Sequence, residues 1–129
     1  MANAKATDGP IGFPLKRTYR AEDGDLTRGY AVQQGTADDQ VKLGGDATRA
    51  VGIVEESAKE DAAVSVVMHG ECIGIAGGVV NAGDMVKSST GKLVAANAAD
   101  VETVGKAITS AAADTDEFVV FVNPIQKRS

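Results

Sequence analysis

The chain has 129 residues, a single cysteine, 4% aromatic residues and a formal net charge of −5. This length suffices for one domain with a buried core, and one cysteine cannot form an intrachain disulfide. No apolar run approaches the roughly 18 residues that a membrane span needs, and the N-terminus lacks the charged-then-apolar order of a signal peptide. The sequence therefore predicts no membrane partner and no signal peptide.

The charge is unevenly distributed along the chain. Residues 1–20 carry a net +3 and residues 127–129 carry +2, which leaves −10 on residues 21–126. A nucleic-acid-binding domain places its basic residues on the folded surface, with aromatic residues among them, so no nucleic-acid partner is predicted. Basic ends on an acidic body favour electrostatic docking onto an acidic protein or a neighbouring copy. The alternative is that both ends are solvated tails.

Residues 1–17 are predicted to form an extended N-terminal arm. The pairs Gly9–Pro10 and Phe13–Pro14 interrupt regular structure, yet apolar residues alternate from position 11 to position 15. An extended segment of this kind suits a strand-like arm on a partner surface. The alternative is a segment packed along its own domain. The predicted interface consists of the apolar and basic residues in and beside this arm, namely Ile11, Phe13, Leu15, Lys16, Arg17 and Arg20.

From Thr18 onward, short segments with alternating apolar residues are separated by turns rich in glycine, aspartate and asparagine. This spacing is typical of a small all-β protein. The predicted strands are 18–21, 29–34, 40–43, 49–55, 64–75, 85–88, 92–95, 101–108 and 117–122. Residues 18–129 are therefore predicted to form a single β domain.

The strand pattern occurs twice, at about residues 28–70 and 82–124. Each unit has a strand that begins with glycine, a strand with a Val-Gly pair, an acidic turn and a valine-rich strand. Two such units can close a small β-sandwich or barrel with an internal pseudo-two-fold repeat, which is the predicted fold. Valines at matching positions should be buried, in the pairs Val32 and Val86, Val51 and Val104, and Val66 and Val120.

Residues suited to catalysis or metal binding are few. His69 is the only histidine, and Cys72 alternates with apolar neighbours as a buried strand residue does. The acidic segments Asp38–Asp39 and Asp23–Gly24–Asp25 lack the distal bidentate ligand of a calcium loop. The sequence therefore predicts a protein that is not an enzyme, without metal or cofactor, whose function survives Cys72→Ala and His69→Gln.

One alternative involves a modified lysine. The segment Gly83–Asp84–Met85–Val86, followed by a hairpin with Lys92, resembles lipoyl and biotinyl carrier domains, which are small β-sandwiches with internal two-fold symmetry. Their modified lysine stands at a hairpin tip, between Asp and Ala or between two Met residues. Here the neighbours are Gly91 and Leu93. A carrier domain modified at Lys92 is the alternative function.

The second half also resembles the small bacteriophage head-decoration proteins, or capsid cement proteins, of the DUF2190-like type. The matching segments are Val80–Val86, Gly91–Leu93, Val104–Ala107 and Phe118–Val122, with fainter counterparts in the first half. The Trp or Tyr that often follows the Gly-Asp pair in this family is Lys87 or Ser88 here, and the basic arm is longer than usual.

The resemblance implies a non-enzymatic virion structural protein on the outer surface of an icosahedral phage head. It implies that the major capsid protein is the partner, and that homotrimers stabilise the contacts between capsid subunits. It also implies synthesis in the host cytoplasm before incorporation into the virion.

Overall fold

A computed structural model describes residues 14–45, 49–97 and 102–126 of the protein. Within these ranges the chain forms β-strands and no helix, which confirms the all-β fold class. The strands are β1 (Leu15–Ala21), β2 (Ala31–Gln34), β3 (Gln40–Leu43), β4 (Gly52–Val54), β5 (Ala63–Ile75), β6 (Met85–Ser89), β7 (Lys92–Ala95), β8 (Glu102–Ala107) and β9 (Glu117–Gln126). Each predicted strand overlaps one of these.

The first five strands close a barrel. They are hydrogen-bonded in the order β1-β3-β2-β4-β5, and β1 also pairs with β5 and so closes the ring. Strands β1 and β3 are parallel, whereas the other neighbours are antiparallel. The interior is filled by buried residues that alternate along the strands, namely Tyr19, Ala21, Leu26, Val32, Val41, Val54, Val64 and Val66.

The second half of the chain repeats this arrangement. Strand β9 pairs with the second part of β5, and β8, β6 and β7 follow in that order. A bridge between Ala76 and Leu93 joins β7 back to the residue after β5. The 13-residue strand β5 therefore belongs to both barrels, with its first part in the first barrel and its second part in the second.

The repeat extends to individual hydrogen bonds. Leu26 and Ala58 exchange backbone hydrogen bonds of 2.8 and 2.9 Å, and Val80 and Ala111 exchange bonds of 2.9 and 2.8 Å. Leu26 precedes β2 and Ala58 follows β4 in the first half. Val80 precedes β6 and Ala111 follows β8 in the second half, so the two pairs are equivalent. The internal repeat predicted from the sequence is thus confirmed as a repeat of backbone pairing.

The valines predicted to be buried lie in two clusters rather than one. Five of the six are at most 1% exposed, while Val51 is partly exposed and packs against the first cluster, which is the buried interior of the first barrel. The second cluster contains the buried interior of the second barrel. Valines of the first repeat belong to the first cluster, and their partners belong to the second. The prediction of burial was therefore correct for five positions, and each repeat surrounds its own buried valines.

Strand β1 begins at Leu15, three residues before the predicted strand. Its ladder with β5 continues across a bulge between Leu15 and Lys16, and Arg17 lies opposite Val66. Residues 15–17, assigned to the arm from the sequence, therefore lie in the first barrel. The predicted interface residues Ile11 and Phe13 lie outside the described residues.

Candidate interaction surface

A groove lies where β5 passes from one barrel to the other. Gly70, at this point, has φ +121°, and a Cβ there would lie 2.9 Å from the Cα of Pro14. Such a φ is accessible to glycine at little cost, and the missing side chain admits the start of the described chain. The groove has a volume of about 360 Å³ and is lined by Pro14, Lys16, Arg28, Glu55, Val67, Glu71, Cys72 and Ile73.

Two ion pairs lie beside this groove. The Nζ of Lys16 is 2.6 Å from Oε2 of Glu55, and Nη1 of Arg28 is 2.9 Å from Oε2 of Glu117, which links the first barrel to the second. The hydroxyl of Ser65 also donates to Glu55, at 3.0 Å. The hydrogen bond from Lys16 lowers the pKa of the Glu55 carboxyl, while partial burial opposes this shift.

We expect Lys16→Met to lower stability near neutral pH by less than about 1 kcal/mol, because both side chains are partly exposed. The lowered pKa of Glu55 means that the unfolded chain binds more protons than the folded chain around the ordinary value of 4.5. The contribution is therefore present above that pH and lost as the pH falls through the folded pKa. Urea unfolding of both proteins at about pH 7 and about pH 3 measures it. An equal difference at both pH values would contradict the ionic explanation.

The other predicted interface residues point to different neighbours. Leu15 is 61% exposed and lies opposite His69. The guanidinium of Arg17 is 5.3 Å from the ring centroid of Tyr19, and the guanidinium of Arg20 is 3.8 Å from Asp39. Of the predicted interface residues that the structure describes, only Lys16 lines the groove. All four lie exposed on β1, and their role as an interface stays a prediction.

The sequence interpretation missed an apolar strip on the outside of the second barrel. Ile73 of β5 pairs with Val119 of β9, and the N–H of Ile108 donates to the carbonyl of Val119 at 2.8 Å. Ile108 is 44% exposed, and the other two residues are partly exposed. These three residues, Ile73, Ile108 and Val119, form what we call the apolar strip.

The first barrel has polar residues at the same three places. Thr18 pairs with Ser65, and the N–H of Glu55 donates to the carbonyl of Ser65 at 2.9 Å. The same backbone therefore accommodates Thr, Ser and Glu, so the fold does not require apolar side chains in the strip. Alignment of the two repeats would have revealed the strip, because Ser65 and Val119 occupy matching positions in the sequence.

The two residues considered for chemistry, His69 and Cys72, are both held by packing contacts. His69 packs edge-to-face against Phe121, with ring centroids 5.1 Å apart. Cys72 packs against the second cluster, and burial raises the pKa of its thiol to about 12. Among the described residues, no group of three or more His, Cys, Asp or Glu side chains could hold a metal ion. Within the same ranges, the chain forms no helix long and apolar enough to span a membrane.

We expect the Cys72 thiol to react slowly with an aromatic disulfide reagent in the folded protein and rapidly after unfolding, because the thiol is the unreactive form. Cys72→Ala should cost about 1 kcal/mol of packing and leave function intact, as should His69→Gln. Labelling rates with and without denaturant test the first expectation. Equal rates would contradict the burial of the thiol.

Lys92, the residue of the carrier alternative, is held by its own chain. It follows the turn Thr90–Gly91, whose φ angles are 52° and 89°. Its Nζ lies 3.0 Å from Oδ1 of Asp114, and this hydrogen bond raises the pKa of the ammonium group. Lys92 therefore follows the hairpin tip rather than occupying it, and its ammonium group is held in an ion pair with Asp114. This geometry does not favour modification as in a carrier domain, whose lysine stands at the tip.

Comparisons with known proteins give a structural match only. No family model matches the sequence, and no curated protein matches it. Among solved structures, the chain is similar to the head fiber gp8.5 N base in bacteriophage phi29, with a TM-score of 0.68 and 15% sequence identity. The match covers 91% of this chain and 100% of that chain. The protein thus has the fold of this phage head fiber base.

Proposed function

We propose that this protein is a structural component of a bacteriophage virion that associates with the phage head. The observation that carries the proposal is the fold match, which spans nearly the whole chain and a protein described as a head fiber base. The resemblance of residues 77–124 to head-decoration proteins supports the proposal from the sequence. Because fold alone does not define function, head association also requires a surface that can contact the head.

The apolar strip supplies such a surface. Apolar residues that lie together on the outside of a fold, exposed or partly exposed, indicate an interaction site, particularly where the fold itself does not require them. In our proposal the strip docks onto the major capsid protein on the outside of an icosahedral head, as in the DUF2190-like decoration proteins. The protein would stabilise contacts between capsid subunits as a homotrimer.

The N-terminal arm belongs to the same proposal. Its predicted interface residues would contact the capsid or a neighbouring copy through apolar and basic side chains. Lys16, at the start of β1 where the arm joins the first barrel, supports this assignment through its place in the lining of the groove, although its ammonium group pairs with Glu55. Leu15 supports it as well, since its side chain is 61% exposed at the adjacent position.

The decisive experiment is co-sedimentation with purified, undecorated heads of the phage that encodes this chain. A variant with Ile73→Thr, Ile108→Glu and Val119→Ser places the first barrel's residues on the second barrel. We expect its affinity for heads to fall at least tenfold, or about 1.4 kcal/mol, because apolar area is lost from the contact. Val79→Asp is the matched control, since Val79 is 65% exposed and lies outside the strands.

The possible outcomes test head association, the role of the apolar strip and the carrier alternative separately. Failure of the unaltered protein to bind heads would contradict head association. Equal binding by the triple variant would leave head association in place and contradict the role of the strip. An intact mass increased by a lipoyl or biotinyl group at Lys92 would instead support the carrier alternative.

A further inference from the structure

The two barrels meet along a seam that covers one row of the first barrel. The row consists of Ala31 of β2, Ile53 of β4 and Val67 of β5, which are paired neighbours. Their exposures are 0%, 0% and 1%, and all three belong to the same cluster as the interior of the second barrel. We call these three residues the seam row.

The β6–β7 turn of the second barrel sits on this part of the first barrel. The N–H of Ala31 donates to the carbonyl of Gly91 in that turn at 2.7 Å. The hydroxyl of Ser88 donates to the carbonyl of Gly45 at 2.8 Å. A Cβ on Gly91 would collide with the side chain of Leu43. The seam is therefore a close contact between a strand row and a hairpin turn.

The second barrel has the counterpart of the seam row, and there the row stays exposed or partly exposed, although the ring of His69 packs against Phe121. Lys106 of β8 pairs with Met85 of β6 on one side and with Phe121 of β9 on the other. Met85 is 37% exposed, Lys106 is exposed and Phe121 is partly exposed. Within the part of the chain that the structure describes, the N–H of Met85 has no acceptor equivalent to the carbonyl of Gly91. We call Met85, Lys106 and Phe121 the free row.

The free row and the turn that would match it have complementary charges. Lys106 stands where the seam row has Ile53. The counterpart of the β6–β7 turn is the longer β2–β3 turn at residues 35–39 of the first barrel, which contains the exposed Asp38 and Asp39. Asp39 lies 3.8 Å from Arg20 of its own chain, which leaves Asp38 as the carboxylate considered for the contact. A cation has thus replaced an apolar residue in the row, and a carboxylate occurs in the matching turn. Complementary charges of this kind select a partner and fix its register.

We infer that the free row is the docking site for the first barrel of a second copy, which seats its β2–β3 turn there. Within one chain, the β6–β7 turn of the second barrel sits on the seam row of the first barrel. Between chains, the β2–β3 turn of one copy would sit in the same way on the free row of the next copy. Such a contact is heterologous, with a row on one copy and a turn on the next, and closes into a ring if the rotation allows. This inference goes beyond head association and is testable without heads.

The test is a charge exchange followed by sedimentation velocity over a range of protein concentrations. Lys106→Glu and Asp38→Lys should each weaken self-association at least tenfold, because each places like charges in contact. The double variant should recover association to within about threefold of the original. Lys59→Glu is the control, since its side chain is 88% exposed and its ion pair is with Asp25, which belongs to neither surface. This variant should assemble normally.

Circular dichroism establishes that each variant is folded, which is expected because both residues are exposed. An original chain that stays monomeric up to about 1 mM, a concentration that would detect even millimolar affinity, would overturn the inference. So would single variants that assemble normally. A folded double variant that fails to recover would overturn the pairing of Lys106 with Asp38.

Discussion

Gly52→Ala and Gly105→Ala are each expected to destabilise the protein by about 3 kcal/mol. These glycines belong to the repeated Val-Gly segments and occupy matching positions in β4 and β8. A Cβ on Gly52 would overlap the carbonyl oxygen of Val67, and one on Gly105 would overlap that of Phe121. Both obstacles are backbone atoms of a paired strand, so neither can move without disturbing the ladder.

The matched control is Gly78→Ala. A Cβ at Gly78 would meet no atom within 4 Å, and its φ lies outside the left-handed region. We expect its stability to stay within about 0.5 kcal/mol of the original protein. Urea unfolding of the three variants measures the difference. Similar stability for all three would show that the glycines reflect chance composition rather than close strand contact.

Phe118→Ala is expected to cost about 3–5 kcal/mol, the usual range for a buried phenylalanine. Phe118 is 3% exposed and lies in the cluster of the second barrel. Phe121→Ala removes the same atoms from a partly exposed site on the outside, so it is the matched control and should cost less. Equal losses would contradict the assignment of interior and exterior on β9.

We also expect Phe118→Ala to destabilise both barrels together. The barrels share β5, and the seam row belongs to the same cluster as Phe118. The chain has no tryptophan and two tyrosines, of which Tyr19 lies in the interior of the first barrel. Tyrosine fluorescence should therefore report a loss in the first barrel that coincides with the circular dichroism of the whole chain. Separate transitions would show that the barrels unfold independently.

The sequence by itself determined the local elements and their repetition. Alternation of apolar residues with a period of two places residues on opposite faces of a strand, and this local rule located each strand of the fold. The glycines at positions 52 and 105 were visible because the Val-Gly pair occurs once in each repeat. The lack of a catalytic or metal-binding pattern led to the prediction of a protein that is not an enzyme, which remains a prediction.

Only the tertiary structure decided how the two repeats are arranged. In β4, three consecutive residues are buried, so alternation cannot tell which face of the strand meets which neighbour. Ile53 is covered because the second barrel sits on it, whereas its counterpart Lys106 is exposed because no further barrel follows in the described chain. The free row is recognisable only against this arrangement, since burial depends on neighbours distant in sequence rather than on local pattern.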